Sequence, residues 1–175
     1  MLGRPSRVDP EIASLTFKRH LKELWEGGRP DALGWKLTEL DDLHVVVAIP
    51  ALREGAILEP YHVKLGAEYY DTYPPTTSFV SPPNWEPATG ASRWFPRIEP
   101  RPSWFGLQAA HGFPDGTTRQ LVCFTFTAEY YMVDHSPPEH TVWRQGYHSL
   151  AATLNRLQEV LNPPYYQGPS DGSHP

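Results

Sequence analysis

The residue in this chain with the clearest capacity for covalent chemistry is Cys123, its only cysteine. A thiol acts as a nucleophile when it is deprotonated and accessible. Cys123 lies in the short apolar, β-prone run Leu121–Phe126, just after the tight polar loop Phe113–Thr118. Its neighbours in the run carry no charge, and the nearest cation in sequence is Arg119. Free cysteines also serve as small buried hydrophobic residues, so both interpretations stay open at this point.

A second group of chemically capable residues follows the cysteine. His135 and His140 flank two prolines and are adjacent to Asp134 and Glu139. Imidazole and carboxylate groups are common metal ligands, and Cys123 could join them. No predicted helix aligns the two histidines, so metal binding competes with a simpler interpretation as a solvated loop. If Cys123 is catalytic, this loop can gate access to it.

Composition and charge limit the classes of partner. A chain of 175 residues suits one domain with a substantial core. The net charge is −5 with no basic stripe, so we expect no nucleic-acid partner. No apolar run approaches the length of a membrane span, and the first residues contain no apolar signal-peptide core, so we expect no membrane association. A single cysteine excludes an intramolecular disulfide framework and favours a reducing, cytoplasmic setting.

The first half of the chain has the regular patterns that would support the cysteine. Asp9-Pro10-Glu11 is a helix-start pattern, and apolar residues at helical spacing predict a helix over about residues 10–26. Gly27-Gly28 ends it. Alternating and β-branched segments then predict four strands whose short connections favour an antiparallel meander. These strands cover residues 35–40, 44–49, 61–70 and 77–80.

The second half is predicted to be less regular, because many of the 20 prolines fall there. Residues 81–114 are predicted to form a long loop whose aromatic side chains either present a partner surface or pack a proline-rich lid onto the sheet. These side chains are Trp85, Trp94, Phe95 and Trp104.

The last elements complete an α+β prediction. The cysteine strand is expected to continue to about residue 132, and apolar spacing predicts a helix from Tyr147 to Leu161. We therefore predict one domain over residues 1–166, with an N-terminal helix, a four-stranded antiparallel meander, a long irregular crossover holding the cysteine and a C-terminal helix. The polar tail, residues 167–175, is predicted to be disordered.

This order of elements, with these residues, resembles the E2 ubiquitin-conjugating (UBC) fold in its divergent prokaryotic type. The resemblance is best over residues 37–80, where Tyr73-Pro74-Pro75 is similar to the family's tyrosine-proline element. Trp143 and the helix that ends at Asn162-Pro163-Pro164 are similar to the family's tryptophan and post-catalytic helix. Together these features cover about residues 10–164.

The resemblance implies that Cys123 forms a thioester. An E1-like activating enzyme would supply a ubiquitin-like modifier to Cys123, which would pass it to an amine of a protein acceptor without a cofactor or metal. The family places a His-Pro-Asn motif before its cysteine, with the proline and asparagine nine and eight residues upstream. These offsets land on Pro114 and Asp115, while position 113 is phenylalanine and the nearest histidine is His111. The resemblance thus implies Cys123, Asp115 and His111 as catalytic residues.

The match to this motif is partial. The family asparagine is thought to support the loop and the developing oxyanion, and an ionised Asp115 cannot donate that hydrogen bond. Asp115 can instead deprotonate or orient an incoming amine, or simply cap the turn. A rival alignment puts Pro82-Pro83-Asn84 in the motif's place, and either alignment leaves additional loop near the cysteine.

Two alternatives to the conjugating enzyme therefore stay open. The first is a catalytically inactive UBC-fold module that binds a protein through its aromatic and proline-rich loops. The second is an unrelated α+β domain whose cysteine is structural.

Overall fold

A computed structural model describes residues 4–133 and 135–173, which form four helices and nine strands. The predicted α+β class is confirmed, with an antiparallel five-stranded sheet as the largest element. None of the helices in the described residues is long and apolar enough to cross a membrane. In chain order the elements are α1 (Pro10–Glu26), α2 (Arg29–Leu33), β1 (Lys36–Glu39), β2 (His44–Leu52), β3 (Leu58–Gly66), β4 (Thr76–Ser81), β5 (Glu86–Pro87), β6 (Pro96–Ile98), β7 (Gly106–Gly112), β8 (Thr118–Cys123), α3 (Ala128–Met132), α4 (Leu150–Val160) and β9 (Tyr166–Pro169).

Helix α1 forms where its sequence signals predict. The Asp9 carboxylate accepts hydrogen bonds from the backbone amides of Glu11 and Ile12 at 3.0 and 3.2 Å, which satisfies two donors that the first turn leaves free. The helix then buries Ala13, Phe17 and Leu21 on one face. That face packs into the main hydrophobic core.

The predicted meander is confirmed as the order β1-β2-β3-β4, with β5 added at the edge. Its register places Val47 opposite Val63, and Val63 opposite Phe79. All three side chains are fully buried, because residues that are paired across a sheet point to the same face. The sheet therefore has one apolar face that the helices cover.

Helix α4 lies against this sheet and contacts β2 and α1. Ser149 caps it by accepting a hydrogen bond from the Ala151 amide at 3.3 Å. Leu150, Leu154 and Leu157 are fully buried. The prediction that the helix starts at Tyr147 was wrong by one turn, since Tyr147 precedes the cap and is 78% exposed.

The prediction of a continuous loop over residues 81–114 was wrong, because three strands lie in this segment. Strand β5 pairs with β4, β6 pairs with β9, and β7 pairs with β8. Prolines are tolerated there because β5 and β6 are short edge strands, where a missing N–H donor is not needed. Of the four aromatic residues of this segment, Phe95 is buried and Trp94 and Trp104 pack against the core, whereas Trp85 packs against His62.

The cysteine strand ends at Cys123 and does not continue to residue 132 as predicted. Thr127 closes a turn just after the strand, since its hydroxyl donates to the Val122 carbonyl at 2.9 Å and accepts from the Phe124 amide at 3.3 Å. Helix α3 follows at once. This turn leaves Cys123 as the last residue of an ordered hairpin.

The tail, predicted to be disordered, contributes strand β9 as far as it is described, to residue 173. Tyr166 pairs with Ile98 of β6 and is buried. Its hydroxyl donates to the fully buried Glu59, which also pairs with Arg53. A charged network that was not visible in the sequence therefore anchors this segment. Residues 174–175 lie outside the described range.

Side chains, more than backbone pairing, join the β7–β8 hairpin to the meander. Strand β5 pairs with only Val80 and Ser81 of β4. Beside it, the Phe79 amide donates to Gln120 Oε1 at 2.6 Å, and Gln120 Nε2 donates to the Ala88 carbonyl at 3.2 Å. The Thr77 amide donates to Glu129 Oε1 at 3.0 Å. Gln120 and Glu129 thus close the β4 edge and hold β8 and α3 in position.

Candidate active site

Cys123 lies at the end of β8, opposite Gly106 at the start of β7. The residue is 7% exposed. A Cβ atom built on Gly106 would lie 3.3 Å from the Cys123 Cβ, so a side chain at position 106 would crowd the thiol. Glycine at this position leaves room around Cys123, and no sequence pattern pointed to Gly106.

Two surface depressions of about 540 Å³ each meet at Cys123. Cys123, Gly106 and His135 line both of them. The thiol is therefore little exposed but adjoins open space on two sides. The first depression is also lined by Ser103, Trp104, Phe105, Phe124, Thr125, Tyr130, Pro138, Thr141 and Arg156, and the second by Gln108, His111, Gly112, Pro114, Leu121 and Val133.

The thiol is held in its protonated form. Burial, and then the nearby Glu129 carboxyl, raise the pKa of Cys123 to about 12. A cysteine with such a pKa is almost entirely the neutral thiol at neutral pH. Chemistry at this sulfur therefore requires a group that takes its proton.

Glu129 is a buried carboxyl that the sequence analysis did not identify. It is 7% exposed, and burial raises its pKa to about 8. Oε1 accepts the Thr77 amide, while Oε2 has no hydrogen-bond partner among the described residues. The protonated form is favoured because it places no negative charge on the buried, unpartnered Oε2. Its one signal in the sequence is a lone acidic residue within the otherwise uncharged run Thr127–Val133.

The structure places Asp115 in the β7–β8 turn, away from the thiol. Its carboxylate accepts hydrogen bonds from the Thr117 hydroxyl and amide at 2.6 and 2.9 Å, and from Arg119 at 3.1 Å. These bonds, those of Thr117 first, lower the pKa of Asp115 to about 2. The rise along β8 from Thr118 to Cys123 is about 16 Å. Asp115 is therefore placed to cap the turn.

His111 and Asn84 are placed differently with respect to the thiol. His111 lines the second depression with Cys123, and its Nδ1 lies 3.0 Å from Gln108 Oε1. Asn84 accepts the Glu86 amide at 3.4 Å and lines neither depression. The structure thus brings His111, but not Asn84, to the space around Cys123.

The loop after α3 brings one of its two histidines to the cysteine. His135 stacks on Tyr130, with ring centroids 4.7 Å apart and planes 19° apart. Tyr130 also packs against the small cluster that contains Cys123, and burial, and then the neighbouring Cys123, raise the pKa of Tyr130. His140 is exposed and lines neither depression.

The metal-site alternative has no geometric counterpart in the part of the chain that is described. Within residues 4–133 and 135–173, no three His, Cys, Asp or Glu side chains are grouped to hold a metal ion. Asp134, which the sequence places beside His135, lies outside these residues. The chemically capable group in the described structure is Cys123 with His135 and Tyr130 beside it.

Compared with models of known protein families and with curated proteins, the chain matches none.

Proposed function

We propose that this chain is an E2-like conjugating enzyme of the UBC fold. It receives a ubiquitin-like protein from an E1-like activating enzyme, carries it as a thioester on Cys123 and passes it to an amine of a protein acceptor. The observation that carries the proposal is the position of Cys123 where two depressions meet. An acyl group on Sγ has room on one side, while the attacking or leaving group approaches from the other.

The first depression suits the extended tail of a modifier. Trp104, Phe105 and Phe124 form an aromatic cluster with ring centroids 5.8 to 5.9 Å apart, and all three line it. The Arg156 guanidinium lies over the Trp104 ring, 4.6 Å from its centroid. Phe105 and Phe124 are buried and support Trp104, whose partly exposed ring offers contact area to a peptide, and the guanidinium offers N–H donors to the peptide's carbonyl groups.

Burial of the thiol suits a carrier. A neutral thiol reacts slowly with stray electrophiles, because the thiolate is the reactive form. Low reactivity toward stray electrophiles suits a sulfur that holds the modifier until the acceptor amine reaches the thioester. The setting that we propose is the reducing cytoplasm, where a lone thiol stays free.

The direct test is formation of the thioester. The purified chain is mixed with an activating enzyme, ATP and a candidate ubiquitin-like modifier, and a reductant-sensitive adduct is expected on a denaturing gel. Cys123→Ala abolishes the adduct, and Cys123→Ser converts it to an ester that survives reductant. No adduct with the cognate partners, or one that persists in Cys123→Ala, sinks the proposal.

A second candidate is an inactive UBC-fold module that binds a protein partner. It is favoured by the high pKa of Cys123 and by the distance of Asp115 from the thiol. In that case the chain binds the modifier or activating enzyme with equal affinity in wild type and Cys123→Ala, and forms no covalent adduct. Calorimetry establishes the binding, and the presence or absence of the covalent adduct separates the two candidates.

A further inference from the structure

A thiol with a high pKa needs a proton acceptor, and few groups around Cys123 qualify. The ionisable side chains that line its two depressions, besides Cys123 itself, belong to His111, Tyr130, His135 and Arg156. An arginine stays protonated, and the pKa of Tyr130 is raised, so neither takes a proton at neutral pH. Two imidazoles remain in these depressions, since Glu129, although near the thiol, lines neither of them.

The two imidazoles differ in their freedom and position. His111 is engaged by Gln108, packs edge-on against Phe113 and lines only the second depression. His135 lines both depressions with Cys123, and neither of its ring nitrogens bonds another described residue. The stack on Tyr130 restrains its ring while leaving both nitrogens available.

We propose that His135 is the general base of thioester exchange at Cys123, an inference that rests on the proposed function. An imidazole nitrogen takes the Sγ–H proton as Sγ forms a bond to the carbonyl carbon of the incoming thioester. The carbon–sulfur bond of the donor breaks, and its thiolate leaves with the electron pair. That thiolate takes the proton from the imidazolium, so the histidine is neutral again and atoms and charge balance.

The first arm of the test uses the protein alone. The rate of Cys123 alkylation by iodoacetamide at pH 7 is expected to fall about 100-fold in His135→Ala, the lower end of what a positioned base contributes. The matched control is His140→Ala, which removes an exposed histidine of the same loop and leaves the rate unchanged. Added imidazole is expected to restore the rate of His135→Ala without affecting the control.

Imidazole rescue separates a base from a structural residue. A loop that has merely shifted is not repaired by free imidazole, whereas a missing proton acceptor is replaced by it. A His135→Ala rate equal to wild type, or a slowed rate that imidazole does not restore, overturns the inference.

The second arm separates this inference from the proposed function. With activating enzyme, ATP and modifier, we expect His135→Ala to form the Cys123 adduct more slowly than His140→Ala. If both variants form it at the same rate, the proposed function stands and the role of His135 fails. If wild type forms no adduct while the alkylation results hold, conjugation fails and His135 still acts as a base toward this thiol.

Discussion

Glu129 is a carboxyl group whose buried surroundings oppose its ionisation. Burial raises its pKa from the usual 4.5 to about 8, so folding takes up a proton between these values. Because the folded state then binds more protons than the unfolded state, the free energy of unfolding falls as pH rises through this window and levels off above it.

Replacing Glu129 by glutamine is expected to remove that pH dependence. Glutamine keeps an oxygen that accepts the Thr77 amide but carries no titrating proton. Between pH 5.5 and 7.5 the wild-type free energy of unfolding should fall, relative to Glu129→Gln, by about 1.4 kcal/mol per pH unit at most. Urea unfolding of both proteins at several pH values measures this difference. If the free energy of unfolding has the same pH dependence in both proteins, Glu129 does not hold a buried proton.

At this scale the sequence indicated only part of the site. Cys123 was identifiable as the lone thiol, but the motif offset to Asp115 could not reveal that the intervening residues form an extended strand. Eight residues that form a loop can bring Asp115 and Cys123 together, whereas the same residues in an extended strand hold them apart. His135 was noted as a loop residue, yet its approach to the thiol depends on where α3 directs the chain.

At the scale of elements, β9 is held by the side chain of Tyr166 as well as by its pairing with β6. The Tyr166 hydroxyl donates to Glu59, a carboxylate that is fully buried, and also contacts the Tyr61 hydroxyl at 2.6 Å. Loss of the Tyr166 hydroxyl removes one hydrogen bond to this buried carboxylate, whose Oε2 still accepts from Arg53 Nε at 3.0 Å.

Tyr166→Phe is therefore expected to lower the free energy of unfolding by about 1 to 3 kcal/mol. Its matched control is Tyr147→Phe, which removes a hydroxyl from an exposed residue and should change stability by less than about 0.5 kcal/mol. Guanidinium unfolding of the two variants compares them directly. Equal effects would mean that the tail is not anchored through Glu59.

Local patterns predicted the elements that depend on local signals. The capped helix α1 and the strands of the meander were foreseeable because periodicity and turns encode them. The pairing of β6 with β9 and of β7 with β8 could not be predicted in this way. Strand β6 is only three residues long, contains a proline and finds its partner about 70 residues later, so no local pattern distinguishes it from a loop.

At the scale of the whole molecule, Gln120 links the β7–β8 hairpin, which carries Cys123, to the five-stranded sheet. One amide side chain bonds the Phe79 amide and carbonyl on β4 and the Ala88 carbonyl beside β5. The Gln120 side chain thus makes the hydrogen bonds that a neighbouring strand would otherwise make, and it connects two sheets that are not paired through their backbones.

Gln120→Leu is expected to lower the free energy of unfolding by about 1 to 3 kcal/mol, because it leaves the buried Phe79 amide without its acceptor. Hydrogen exchange at that amide should accelerate as well. Gln145→Leu is the control, since its side-chain hydrogen bond to Asp71 is exposed. Unchanged exchange at Phe79 would contradict the linking role of Gln120.

The way in which the β4 edge is closed also bears on self-association of the chain. A strand whose free amides and carbonyls are open to solvent is a template on which another chain can add a strand, and proteins usually cover such edges with backbone or block them with charge. Here that protection depends on the side chains of Gln120 and Glu129. We expect that losing both would leave a chain that is less stable and also self-associates, sheet edge to sheet edge.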